Sequence, residues 1–135
     1  MTANRDAFFR AIQSWNSGDL DAYLELYDDT IQLHGYAPEP MSKEEVAGFY
    51  KGLWAALSDP KIEVHQVLED GDKLAAQATM SATHTGELAG VPGTGNAVAQ
   101  PVMTILRFNS NHKVVERWSL ADMVPVLQQI GVIPS

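Results

Sequence analysis

The stretch His84-Thr85-Gly86-Glu87-Leu88-Ala89-Gly90-Val91-Pro92-Gly93-Thr94-Gly95 leads into an alternating segment, then Lys113-Val114-Val115-Glu116-Arg117-Trp118, Asp122 and Leu127-Gln128-Gln129-Ile130-Gly131. Four glycines and a proline between positions 86 and 96 mark a loop crossing from one element to another. Behind it, Ala97 to Phe108 reads as a strand, Asn109 to His112 as a turn, and a last strand ends near Leu120. Asp122 opens a short helix that Gly131 stops, with Pro134 beyond it. A glycine-rich crossing, a long strand ending in a carboxylate and a terminal helix together predict one wall of a cone-shaped pocket.

Working back from the crossing, Lys73 to Thr85 alternates between two faces. Leu74, Ala76, Ala78, Met80, Ala82 and His84 lie on one, and Gln77, Thr79, Ser81, Thr83 and Thr85 on the other. Asp70-Gly71 is a hairpin turn from a strand holding Ile62, Val64 and Leu68. Ser58-Asp59-Pro60 stops the helix before that strand, because proline cannot continue helical hydrogen bonding. The helix starts at a capping box, Ser42-Lys43-Glu44-Glu45, and carries Val46, Phe49, Tyr50, Leu53 and Leu57 on one side. Earlier still, Phe8, Ala11, Ile12 and Trp15 define a first amphipathic helix, broken at Asn16-Ser17-Gly18-Asp19. Leu20, Tyr23, Leu24 and Tyr27 define a second, followed by a short strand from Thr30 to His34 and a loop from Tyr36 to Pro40. Helices first, then a curved and mostly antiparallel sheet, then a terminal helix make an α+β fold in a single domain over 1–135. The mouth of such a sheet is where small-molecule pockets form.

Nine Lys plus Arg against seventeen Asp plus Glu give a formal charge of −8, which repels phosphate backbones and anionic lipid. Neither nucleic acid nor membrane is therefore expected as a partner. The chain has no cysteine, so disulfides, thiolate metal sites and a Cys nucleophile are excluded. No apolar run approaches the roughly 18 residues of a membrane span, and Met1-Thr2-Ala3-Asn4-Arg5-Asp6 lacks a signal peptide's apolar core. A cytoplasmic protein is the expectation. The four histidines (34, 65, 84, 112) have no partner at helical ligand spacing, so no metal is expected. The glycines match no nucleotide fingerprint, and no Gly-x-Ser-x-Gly elbow occurs. By elimination, any chemistry is cofactor-free proton transfer by His and carboxylate groups in a mostly apolar cavity.

Asp122 is the first candidate. Val114, Glu116, Trp118, Leu120 and Asp122 share one strand parity, and a carboxylate there would lose hydration and rise in pKa. The same residue is well placed to cap the terminal helix, a role worth about 1 kcal/mol, and spacing alone favours the cap. His84 shares its face with small residues and faces either a pocket or the core. His34 alternates away from Ile31 and Leu33, toward solvent, and His65 and His112 read as surface residues. Glu116 either pairs with Arg107 or is a second pocket carboxylate.

In order and spacing, these segments resemble the SnoaL-like polyketide cyclases, a branch of the nuclear-transport-factor-2-like fold. The resemblance runs from Asn16-Ser17-Gly18-Asp19-Leu20 and Tyr27-Asp28-Asp29, through His84-Thr85-Gly86 and Gly90 to Gly95. It ends with Val114 to Trp118, Asp122 and Leu127 to Gly131. It implies a cone-shaped, cystatin-like α+β barrel whose strongly curved sheet wraps the N-terminal helices. It also implies an intramolecular aldol cyclisation of a small hydrophobic carbonyl-containing substrate, a polyketide-like ester, with no metal or cofactor. Asp122 would move the proton, with His84 or His34 polarising the carbonyl oxygen. Trp15, Tyr36, Phe49, Met80, Glu116 and Trp118 would contact the substrate. The resemblance further implies a homodimer or higher homo-oligomer formed through the outer face of the sheet. The same architecture also hosts isomerases, dehydratases, epoxide hydrolases and ligand-binding domains without chemistry. Pro92-Gly93, Asn96 and the turn Asn109-Ser110-Asn111-His112-Lys113 depart from the family pattern, all in loops.

Overall fold

A computed structural model describes residues 2–134. The order is α1 (Ala3–Asn16), α2 (Leu20–Leu24), β1 (Tyr27–His34), α3 (Lys43–Ala56), β2 (Leu57–Asp70), β3 (Lys73–His84), β4 (Ala97–Phe108), β5 (Val114–Ala121) and α4 (Met123–Gln129). Each helix begins at a side-chain cap. Thr2 accepts from the Arg5 N–H, Asp19 from Ala22 and Asp122 from Val124, and Ser42 and Glu45 complete the capping box of α3. No helix among the described residues is long and apolar enough to cross a membrane.

The five strands form one sheet in the order β1-β5-β4-β3-β2, antiparallel except for the parallel pair β1–β5. The helices α1, α2 and α3 cover its concave face, burying Phe8, Trp15, Tyr27, Val46, Leu74, Leu106 and Val114 in one cluster. A second cluster under α4 joins Leu57, Met80, Val98, Val126 and Ile130. Burying side chains of this size stabilises by about 1.5–3 kcal/mol each.

The structure departs from the sequence pattern at three places. Tyr27 ends no helix. The second helix stops at Leu24, and Tyr27 begins β1 opposite Val114, whose N–H donates to the Leu26 carbonyl at 2.8 Å. Pairing with β5 overrides the helical stripe. Ser58-Asp59-Pro60 is no helix stop either, because β2 starts at Leu57 and runs through it. The register shifts there, between Ser58 and Lys61, and Asp59 takes φ 52°. An irregular stretch on an edge strand is where a residue without an N–H does little harm.

The third departure decides the site. Arg107 pairs with Glu116 but Phe108 pairs with Val114, so Val115 is an extra residue on β5. A bulge of this kind reverses the alternation beyond it. Val114 and Arg117, three apart, therefore both point inward, while Glu116, Trp118 and Leu120 point outward. Gly35 then lets the chain leave β1 tight against β5: a Cβ there would lie 1.9 Å from the Ser119 carbonyl oxygen, and its φ is +97°.

Candidate functional site

Between the concave face and the helices lies a cavity of about 680 Å³. The sheet contributes small or apolar side chains, among them Ala76, Ala78, Met80 and Val102, and the helices contribute Trp15, Phe49 and Leu53. Small residues on β3 create the room and large helical ones bound it. Against this apolar wall stands one polar pole, made of Arg117, Thr104 and Ser119 from the sheet and of tyrosines from the opposite layer.

All four tyrosines of the chain belong to that pole. Their hydroxyls form a chain, with Tyr23 and Tyr27 2.9 Å apart, Tyr27 and Tyr50 2.8 Å, and Tyr50 and Tyr36 2.8 Å. Arg117 Nη1 donates to the hydroxyls of Tyr23 at 3.0 Å, Tyr50 at 3.2 Å and Tyr27. Its Nε donates to Thr104 Oγ1 at 2.9 Å, and the Thr104 hydroxyl donates to the Trp118 carbonyl at 2.8 Å. The guanidinium also lies over the Tyr36 ring, 5.9 Å from its centre. Tyr23, Tyr27 and Tyr50 are buried and Tyr36 is half-buried, so the hydroxyl chain runs from the interior toward the accessible side.

The electrostatics follow from this geometry. No carboxylate among the described residues pairs with Arg117. Burial pushes the Tyr27 phenol well above its usual range, with the Arg117 charge pulling it back only in part. Burial likewise raises Tyr50, reinforced by its tyrosine neighbours. These phenols stay neutral at neutral pH. Burial also opposes the charge on Arg117, yet the surrounding tyrosine oxygens more than offset it and hold its pKa well above the ordinary guanidinium value. A protonated guanidinium thus faces an apolar cavity with hydrogen bonds but, among the described residues, no counter-charge.

The residues singled out from sequence divide sharply. Trp15, Tyr36, Phe49 and Met80 line the cavity. Glu116 and Trp118 do not, because the Val115 bulge turns them to the outer face. His34 is with them there. Its Nε2 sits 2.8 Å from Glu116 Oε2, its ring stacks on Trp118 at 5.5 Å and 14°, and Arg107 Nη2 donates to Glu116 Oε1 at 3.2 Å. The hydrogen bond from His34 is the chief cause that holds the Glu116 carboxyl below its usual range. His84 is fully buried but outside the cavity lining. It ties the crossing to β3, with Nδ1 2.9 Å from Thr94 Oγ1 and accepting from the Thr94 N–H at 3.3 Å. Gly93 is required beside it, since a Cβ there would lie 2.1 Å from the Thr85 carbonyl oxygen. Asp122 is exposed, does not line the cavity, and accepts from the Val124 N–H at 3.0 Å. The helix-cap reading describes its position, and the expected desolvation is absent.

Sequence reasoning missed Arg117, Tyr23, Tyr50 and Thr104 as parts of one site. Strand parity sets Arg117 opposite Val114, and only the extra residue on β5, defined by its pairing with β4, turns it inward. Glu87, on the crossing, is the carboxylate that reaches the cavity among the described lining residues, and it is exposed at the rim. No cluster of three or more His, Asp or Glu among the described residues is arranged to hold a metal ion.

Against known proteins, the profile of the SnoaL-like polyketide cyclases matches residues 6–130. The chain belongs to that family. AclR, a candidate hydroxylase from Streptomyces galilaeus, is 28% identical, with 98% of this chain and 83% of AclR covered at a TM-score of 0.90. IdmH, a candidate polyketide cyclase from Streptomyces antibioticus, is 27% identical, with 96% of this chain and 99% of IdmH covered at a TM-score of 0.84. A SnoaL-like protein from Jannaschia sp. CCS1 shares the fold at 21% identity and a TM-score of 0.83, with 97% of this chain and 93% of that one covered. No curated protein matches the chain. The α+β architecture with its curved sheet and N-terminal helices is thus that of the SnoaL-like, nuclear-transport-factor-2-like proteins.

Proposed function

We propose that this SnoaL-like chain is a cyclase-type enzyme that closes a ring in a hydrophobic, polyketide-like carbonyl compound held in the inner cavity. The observation that carries the reading is a guanidinium without a carboxylate partner among the described residues, set among tyrosine hydroxyls at one end of a mostly apolar space. An aldol closure builds negative charge on oxygen, and preorganised donors in a dry site stabilise it far better than water does. The apolar walls fold the substrate so that its two ends meet, and Arg117 holds the charge. A tyrosine hydroxyl returns the proton to the new alkoxide. Asp122, His34 and His84 take no part in this scheme, because none lines the cavity. IdmH, described as a candidate polyketide cyclase, supports the substrate class.

The test is an aromatic β-keto ester bearing a pendant ketone, followed by chromatography and mass. Ring closure gives an isomer of unchanged mass at a new retention time. Arg117→Met should slow the reaction by about 10²-fold, the usual loss for one oxyanion donor. Equal rates in the two proteins would overturn the proposal. A second reading, a ligand-binding domain without chemistry, draws on the placement of the three acid/base candidates outside the cavity. Binding by the natural chain with no rate above buffer would establish it.

The proposal extends to assembly. Leu68, Met103, Ile105 and Leu120 remain exposed on the outer face, Leu120 by 78%. They border a groove that also takes in Trp118. A second copy of the chain is the occupant proposed for that face, since a contiguous apolar surface of this kind marks a contact site.

A further inference from the structure

Arg117 has a second terminal nitrogen. Nη1 and Nε are engaged by Tyr23, Tyr27, Tyr50 and Thr104, but Nη2 makes no hydrogen bond to any described residue. Arg117 lines the cavity, and Nη2 keeps accessible surface there. The tyrosine hydroxyls leave a further donor. Three links join four hydroxyls, and each link consumes one hydroxyl hydrogen. One hydrogen is left over, at the Tyr23 or the Tyr36 end, and both of those side chains line the cavity. The pole therefore offers two N–H groups, one O–H and an uncancelled positive charge.

It offers no base. The carboxylate nearest to that role, Glu87, is exposed at the rim, and the buried phenols hold their protons. A site rich in donors and positive charge but poor in bases does not suit a neutral acid awaiting deprotonation. We infer that the cavity takes its ligand in as a preformed oxyanion, the enolate of a 1,3-dicarbonyl or an equivalent ionised vinylogous acid, with Arg117 as its counter-ion. This rests on the reading of the inner cavity as the ligand site, and it names the ionic state and substrate class for that site. The acidic proton is lost to water before binding. In the cavity the enolate carbon bonds to an internal ketone carbon, and the carbonyl electron pair moves onto its oxygen. The resulting alkoxide takes a tyrosine hydroxyl proton, which water restores through the hydroxyl chain at half-buried Tyr36.

Two matched probes test this: 2-hydroxy-1,4-naphthoquinone, a coloured vinylogous acid that is ionised at neutral pH, and 2-methoxy-1,4-naphthoquinone, which cannot ionise. The hydroxy compound should bind about tenfold more tightly or better. Its colour titration should then move down by about one pH unit when protein is present, since tenfold preference for the anion equals one unit. The groups that face the bound ligand and bear on this titration are Arg117, Tyr23, Tyr36, Tyr50 and, at the rim, Glu87. Arg117→Met should abolish both the preference and the displacement, and Arg117→Lys should keep part of each. Equal binding of the two probes with an unmoved titration overturns the oxyanion inference but leaves the cavity as a ligand site. Binding of neither probe overturns both. The comparison is made on the natural chain, so it stands even if a variant fails to fold.

Discussion

Consecutive residues of β5 serve opposite sides of the sheet. Arg117 and Ser119 face a cavity closed by tyrosines, while Glu116, Trp118 and Leu120 face outward beside His34, Arg107 and Met103. Both sides carry a hydrogen-bonded arginine, yet they treat it differently. Arg107 has Glu116 as an anionic partner within reach of water. Among the described residues, Arg117 has only hydroxyl partners and a space beside them. A salt-bridged charge on an exposed face is already satisfied and contributes little. A cation bonded to hydroxyls, with no carboxylate beside it among the described residues, keeps its positive field at the cavity wall.

Inserting an alanine between Glu116 and Arg117 is the most drastic way to break this division. The added residue slips the end of β5 by one position, sending Trp118 inward and Arg117 outward. The expected outcome is loss of a cooperative thermal transition, read by circular dichroism. A smaller effect should come from Met103→Glu with Leu120→Glu, which charges only the outer face. Light scattering should report a single-chain mass while turnover stays within about twofold, because surface changes of this kind leave the fold intact. A single-chain mass for the natural protein would refute self-association outright. Asp122→Ala should cost about 1 kcal/mol of stability through loss of the α4 cap. Asp122→Asn, which still caps, should cost much less, and both variants should keep their turnover. Loss of activity in Asp122→Asn alone would restore the aspartate as a proton carrier.

The smallest effect concerns pH. His34 holds the folded-state carboxyl of Glu116 below its ordinary value, so the contribution of Glu116 to stability is fully present above the unfolded value of about 4.3. It is lost as pH falls through the lower folded value. The melting difference between the natural chain and Glu116→Gln should therefore be largest near neutrality and shrink on acidification. A difference independent of pH would show that the carboxylate's charge is irrelevant to the outer cluster.

Much of the architecture was legible because it rests on local rules. The Ser42–Glu45 capping box, the Asp70-Gly71 turn and the alternation of Leu74, Ala76, Ala78 and Met80 each stand where the pattern put them. The site was legible only in half. Trp15, Tyr36, Phe49 and Met80 are read from regular helices, loops and strands, and they line the cavity. Glu116, Trp118 and Arg117 depend on a bulge that is defined by pairing with β4 and has no signature in the β5 sequence itself. The tyrosine chain joins α2, β1, α3 and the loop after β1, and no periodicity links residues so far apart.

The parallel pairing of β1 with β5 also has a temporal side. β1 lies at the edge of the sheet, and β5 is its neighbour there, drawn from the other end of the chain. During synthesis the first strand therefore waits, its ladder unmade, until nearly the last has emerged. Joining such distant segments costs loop-closure entropy before any contact rewards it, which makes this a slow step in folding. The guanidinium and the first of its tyrosines meet only at that moment, so a partly made chain lacks the polar end of the cavity.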